Sequence, residues 1–141
     1  MVLSQQEYFC RSVFTGIPVN FTRDQISAVT VREVEPGVIT IGDESISENV
    51  VLFRDEIARG IAIANTDELS EQDLDDLLAK QPEVVIFGTG WRARQPPREL
   101  VFAMARRGIG FETMDTPAAC RTFNILVSEG RDVAAILINS E

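Results

Sequence analysis

Residues 84–138 decide the fold, and they read VVIFGTGWRARQPPRELVFAMARRGIGFETMDTPAACRTFNILVSEGRDVAAILI. The stretch opens with a continuous apolar run at 84–87, which is typical of a strand covered on both sides. Pro97 then favours a helix start and Gly108 a helix stop. Five elements are predicted in this order: strand 84–87, helix 97–107, strand 111–114, helix 116–129 and strand 133–138. Strands and helices that alternate at this spacing predict a parallel α/β layer.

The residue types within this layer predict some of its packing. In the first helix we expect the inner face to be formed by Leu100, Val101 and Met104. In the second helix we expect Thr116 to act as the cap, with Pro117 in the first turn.

The preceding half of the chain is rich in β-forming runs separated by turn residues. Runs at 28–31 and 38–41 flank Pro36-Gly37, which predicts a hairpin, and Gly42-Asp43 predicts the next turn. Residues 1–24 show no period and are predicted to form an irregular arm. The sequence therefore predicts one α/β domain over 25–141, in which an N-terminal β-meander and a C-terminal βαβαβ unit share a mixed sheet with helices packed on it.

A helix start is also predicted at Ser70, between the two halves. Ser70 and Asp73 stand at the spacing of a weak capping box, and Leu69 with Leu74 forms a hydrophobic staple. Leu74, Leu77 and Leu78 then mark the buried face of that helix.

Composition excludes several classes of function. The chain of 141 residues has 13 basic and 22 acidic side chains and no histidine, so its net charge is −9. Nucleic acids and anionic membranes would repel it, unless its few arginines gather on one face. Without histidine there is no Ser-His-Asp triad and no imidazole ligand, and Cys10 and Cys120 are too few for a zinc or iron-sulfur site, so no metal is expected. The chain shows no signal peptide, transit peptide or membrane span, so we expect a cytoplasmic protein.

The loop after residues 84–87 is the strongest candidate for a ligand site. In open α/β sheets ligands favour the crevice beyond the carboxyl ends of the strands, and two helix N-termini that attract anions should meet there. The residues expected to form an anion or small-ligand pocket are Gly88, Thr89, Gly90, Arg98, Thr116 and Arg121. The alternative is structural: the glycines form a tight turn, the threonines cap, and the arginines pair with carboxylates. The G-x-G-x-x-A pattern at 88–93 is a weak dinucleotide signal, because Pro96-Pro97 would interrupt the helix that should start there.

Two further residues have two interpretations each. Trp91 is the single tryptophan, and an exposed indole in this loop could anchor a protein partner or instead cover the end of the core. Cys120 follows a helix start, where a thiol becomes more acidic, but a small buried residue without a base beside it is the more frequent case.

Motifs throughout the second half resemble a known family. Gly88-Thr89-Gly90 with Pro96, the segment GFETMDTPAACRTFNIL at 110–126 and EGRDVAAILI at 129–138 resemble the Mth938-like domain family of unknown function. The likeness extends from about residue 26 to the end. It implies a single α/β domain without an established activity, and one mitochondrial member assists the assembly of respiratory complex I through protein contacts. The positions that match the family motifs are Gly88, Thr89, Gly90, Thr116, Arg121, Thr122 and Asn124.

Two hypotheses for function remain. The first is a non-catalytic domain that binds another protein, as an assembly factor would, without a cofactor. The second is a small anionic ligand (phosphate, carboxylate or nucleotide), or an enzymatic site, at the edge formed by 88–98. A homodimer is compatible with either, because small domains with sheet edges often pair.

Overall fold

Two β-sheets and three α-helices form the described part of the chain, residues 29–59, 61, 63 and 66–139 of a computed structural model. The predicted arm, residues 1–24, lies outside these residues. The smaller, antiparallel sheet contains β1 (Val31–Glu35), β2 (Val38–Ile41) and β3 (Glu44–Ile46). The larger sheet contains β4 (Val50–Phe53), β5 (Glu56–Arg59), β6 (Val84–Gly88), β7 (Gly110–Met114) and β8 (Val133–Leu137).

The strand order of the larger sheet is β5-β4-β8-β6-β7. Strand β6 pairs in parallel with β7 and with β8, as the alternation of strands and helices predicts. Strand β4 pairs antiparallel with β5 and with β8, so it joins the meander to the parallel layer. The predicted mixed α/β fold class is thereby confirmed.

The helices lie on both faces of the larger sheet. They are α1 (Asp75–Leu78), α2 (Arg98–Arg106) and α3 (Thr116–Ser128), with 3-10 turns at Thr66–Glu68 and Gln72–Leu74 before α1. The predicted cap is one residue too early, because Glu71 and not Ser70 is the N-cap, although the Ser70 N–H does donate to the Asp73 carboxylate at 2.9 Å. The turn that follows is 3-10 and leads directly into α1.

Two hydrophobic cores lie on opposite faces of the larger sheet. On one face, Leu100 and Met104 of α2 pack with Phe87 and with the leucines of α1. On the other face, Phe123 of α3 packs with Ile86 and with the buried side of the smaller sheet. All five residues of β8 are buried, and they alternate between the two cores.

The first half of the chain divides between the two sheets, whereas the sequence predicted a single shared sheet. The smaller sheet buries one face, on which Ile39, Ile41 and Ile46 lie, so it packs face to face on the larger sheet and does not extend its edge. All four residues of β4 are buried, which suits a strand inside the larger sheet.

The amide of Asn124 holds the smaller sheet on α3. Its Nδ2 donates to the Val31 carbonyl at 2.8 Å, and its Oδ1 accepts from the Val31 N–H at 3.0 Å. Strand β1 is an edge strand, and this side chain satisfies the backbone groups of Val31 in the way that a neighbouring strand would. Asn124 therefore has a structural role in which both ends of the amide are used.

We predict that Asn124→Ala lowers the free energy of unfolding by about 1–3 kcal/mol, because two partly buried backbone groups lose their partner. Urea unfolding of the purified chain measures this change. Ile125→Ala is the matched control, since its side chain is exposed on the same helix. Equal losses in the two variants would contradict the structural role of Asn124.

Candidate functional site

The carboxyl ends of three parallel strands meet at one edge, as the sequence predicts. The sheet register pairs Gly88 at the end of β6 with Met114 of β7 and with Leu137 of β8. The loop 89–97 and the N-terminus of α3 both begin at this edge.

Thr116 connects the elements that meet here. Its hydroxyl accepts from the Gly90 N–H at 2.8 Å and donates to the Ile138 carbonyl at 2.8 Å. Its backbone N–H donates to the Gly90 carbonyl at 2.7 Å. The side chain is buried, so these bonds form inside the protein, away from water.

The prediction that Thr116 caps α3 was wrong. The cap is Asp115, whose carboxylate accepts from the Ala118 N–H at 2.9 Å. Asp115 and Thr116 are adjacent and both are good capping residues, so local sequence does not distinguish them. The Thr116 hydroxyl is not the cap because it donates instead to the Ile138 carbonyl, which is 22 positions away in the chain.

Gly88, at the end of β6, and Gly90, in the loop that follows, are glycine for different reasons. A Cβ on Gly88 would lie 3.0 Å from the Ala119 Cβ and 3.0 Å from the Thr116 Oγ1, so α3 approaches the sheet closely only because this side chain is absent. Gly90 has a φ of 98°, in the left-handed region that favours glycine. Both observations favour the structural interpretation of the glycines.

Thr89 holds the loop that leads to α2. Its hydroxyl donates to the Arg92 carbonyl at 2.6 Å and accepts from the Arg94 N–H at 3.2 Å. Its own N–H donates to the Met114 carbonyl at 2.9 Å, and the residue is buried. The polar groups of Thr89, like those of Thr116, are thus engaged within the chain.

The other predicted site residues lie on α2 and α3. Arg98 begins α2 and Arg121 lies on α3, so they belong to helices on opposite faces of the sheet, and both are exposed. Arg121 and Asn124 line a groove of about 330 Å³ between β1 and α3. The Thr122 hydroxyl donates to the sulfur of Met114 at 3.4 Å. Ligand binding by these residues stays a prediction.

Trp91, the predicted partner-binding residue, is half-buried in the loop before α2. A contact between Trp91 and a partner protein also stays a prediction. Among the described residues, no group of three or more acidic or cysteine side chains is arranged to hold a metal ion. No described helix has both the length and the apolarity to cross a membrane.

The outer surface of α2 was missed at the sequence level. Val101 was predicted to face inward, but it is 41% exposed, whereas Ala103 is buried with Leu100 and Met104. Phe102, next to it, is 53% exposed. Residues 100–105 are all apolar, so hydrophobicity alone does not indicate which face is inside. Helical spacing does not distinguish it either, because Val101, Met104 and Ala105 are spaced in the same way as the buried set.

Comparison with known proteins identifies the family. A model described as "Protein of unknown function (DUF498/DUF598)" matches residues 31–138. The chain belongs to this family. A structure of a Bordetella pertussis protein, described as a Mth938-like domain, has a TM-score of 0.68 at 24% identity, covering 87% of this chain and 92% of that one. This likeness shows the fold of the family.

Two curated proteins are similar to this member of the DUF498/DUF598 family. A human protein named "NADH dehydrogenase [ubiquinone] 1 alpha subcomplex assembly factor 3" is 47% identical over 62 residues, which is 44% of this chain and 34% of that protein. A Francisella tularensis protein named "13 kDa major membrane protein" is 36% identical over 76 residues, 54% of this chain and 62% of that protein. The similarity therefore spans about a third of the human protein and three-fifths of the bacterial one.

We predict that Thr116→Val destabilises the fold by at least about 2 kcal/mol, because the Gly90 N–H and the Ile138 carbonyl both lose a buried partner. Thr116→Ser keeps the hydroxyl and loses one methyl group, so we expect a loss of about 1 kcal/mol. Urea unfolding measures both changes. Equal effects of valine and serine would show that the hydroxyl is not needed.

The thiol of Cys120 generates a prediction about pH. Burial raises the pKa of this thiol from 9.0 to about 12, although the charge of Arg121 opposes the shift. The raised pKa contributes stability that is fully present below pH 9 and is lost as the pH rises toward 12, because the unfolded chain releases the proton first. We therefore expect the free energy of unfolding to fall more steeply between pH 9 and 11 in the native sequence than in Cys120→Ala, as chemical denaturation at each pH measures. Parallel pH profiles would contradict this.

Proposed function

We propose that this chain is a non-catalytic domain that binds another protein, in a role like that of an assembly factor. The observation that carries the proposal is the exposure of Val101 and Phe102, two adjacent large apolar side chains on α2. Neither is part of the core, and contiguous apolar surface is characteristic of sites where proteins meet. The name of the human relative, an assembly factor, supports the same class of function.

The state of the polar side chains at the carboxyl edge also supports a non-catalytic role. The hydroxyls of Thr89 and Thr116 donate to carbonyl groups of the chain itself. Burial raises the pKa of Cys120, which keeps this thiol neutral and weakly nucleophilic near pH 7. None of these three groups is activated as a nucleophile or as a general base.

We predict that the full chain, tagged and gently purified from the organism that produces it, retains a protein partner in fixed ratio. Native mass spectrometry measures the mass of the assembly. Trp91→Ala is expected to reduce the amount of partner, because this loop residue leads into α2 and is partly exposed. Cell fractionation of the same material tests the cytoplasmic location that we also propose, and recovery with the membranes would contradict it.

Other masses would contradict the proposal in distinct ways. A bare monomer would exclude a stable protein complex. Twice the mass of the chain would indicate that the partner is a second copy. A retained small molecule that is lost in Arg121→Ala would favour the anionic-ligand hypothesis, since Arg121 is exposed beside the groove between β1 and α3.

A further inference from the structure

One face of α2 is turned to solvent along its whole length. Residues at spacings of three, four, seven and eight positions share this face, which we name the outer face of α2: Arg98, Val101, Phe102, Ala105 and Arg106. Its apolar centre is Val101 and Phe102, which are 41% and 53% exposed. The opposite face, with Leu100 and Met104, is buried in the core. This helix therefore has apolar side chains on two sides, and the described residues of the chain cover one of them.

Two arginines lie at the ends of this apolar centre. Within the part of the chain that the structure describes, neither Arg98 nor Arg106 makes an ion pair or a side-chain hydrogen bond. Neighbouring Arg107, by contrast, donates to Glu71 at 2.7 Å. In a chain with 22 acidic residues and a net charge of −9, these two exposed arginines place positive charge at both ends of the apolar patch. Glu99, the one acidic residue of α2, lies at the border of the face.

We propose that the outer face of α2 is a docking surface for an acidic amphipathic helix of a partner protein. The proposal rests on the protein-binding function above and specifies the chemistry of the partner. An apolar stripe on that helix would cover Val101 and Phe102, and carboxylates beside the stripe would pair with Arg98 and Arg106. Arginine presents a planar fork of donors that suits carboxylates, and complementary charge at the rim of an interface determines which partner binds.

Other occupants fit the charges less well. A second copy of the chain packed antiparallel on the same face would place Arg98 of one copy against Arg106 of the other, which repels. An anionic membrane or a nucleic acid would attract the two arginines but repel a chain of net charge −9. An acidic helix is short, so it can contact the face without approaching the acidic remainder of the chain.

Two designed peptides test the chemistry of the face. Both are 18-residue helices with the same leucine stripe, which is flanked by glutamate in one and by lysine in the other. We expect the Leu/Glu helix to bind the isotope-labelled full chain at least about tenfold more tightly than the Leu/Lys helix. The largest NMR shift changes are expected in residues 98–106. Equal affinities, or changes centred elsewhere, would overturn the proposal.

Surface variants separate the apolar and charged contributions. Val101→Ser with Phe102→Ser should abolish binding of the Leu/Glu helix, and Arg98→Glu with Arg106→Glu should invert the preference between the two peptides. The matched controls are Ile125→Ser and Arg54→Glu, an exposed apolar residue and an exposed arginine away from α2. Binding to phosphatidylglycerol vesicles that is lost with Phe102→Ser would instead indicate a lipid surface and overturn the proposal.

The natural complex distinguishes this inference from the proposed function. If the chain retains a protein partner in its own organism and the four α2 substitutions leave that complex intact, the function stands and the docking surface is wrong. If the Leu/Glu peptide binds as expected but no partner is retained, the function is wrong. Loss of the natural partner in the α2 variants, with retention in both controls, supports both.

Discussion

Strand β8 is the element on which the rest of the structure depends. It lies at the centre of the larger sheet, antiparallel to β4 on one side and parallel to β6 on the other. Its five residues are buried and contribute to both cores. Because β8 follows the other described strands in sequence, β4 of the first half and β6 of the second half are connected in the sheet only through residues 133–137. The two halves are therefore expected to fold as one cooperative unit, without an independently stable part.

The hydrogen bonds at the carboxyl edge extend this arrangement beyond the end of β8. The Ile138 N–H donates to the Gly88 carbonyl at 3.0 Å, and the Ile138 carbonyl accepts from Thr116. One residue past the strand thus fixes both the end of β6 and the start of α3. In many open α/β sheets this crevice receives a ligand, whereas here the hydroxyls of Thr89 and Thr116 donate to carbonyl groups of the chain itself.

The sequence predicted what depends on local pattern and missed what depends on distant partners. The buried run of β6 and the turn at Pro36-Gly37 were found, because two-sided burial and turn chemistry are visible within a few residues. The first strand of that hairpin, predicted at 28–31, lies instead at Val31–Glu35. Residues 50–53 form a continuous apolar run like that of β6, and this pattern indicates that β4 lies inside the larger sheet. The role of Thr116 was not predictable, since its acceptor is 22 positions away. Of the candidate site residues, those near Gly88 do come together. Arg98 and Arg121 lie on helices that pack on opposite faces of the larger sheet, and the sequence does not show on which face each helix packs.

Packing among the residues that the structure describes does not explain the residues on the outer face of α2. The buried face is already complete with Leu100, Ala103 and Met104, and the Arg107–Glu71 pair attaches the end of the helix to the segment before α1. Lysine or glutamate in place of Val101 and Phe102 would leave that packing unchanged and would favour the helix, since valine and phenylalanine are weaker helix formers. Single exposed apolar residues are common, but two adjacent ones reduce solubility without contributing to the core. A contact with another molecule gives these two residues a physical reason to be there.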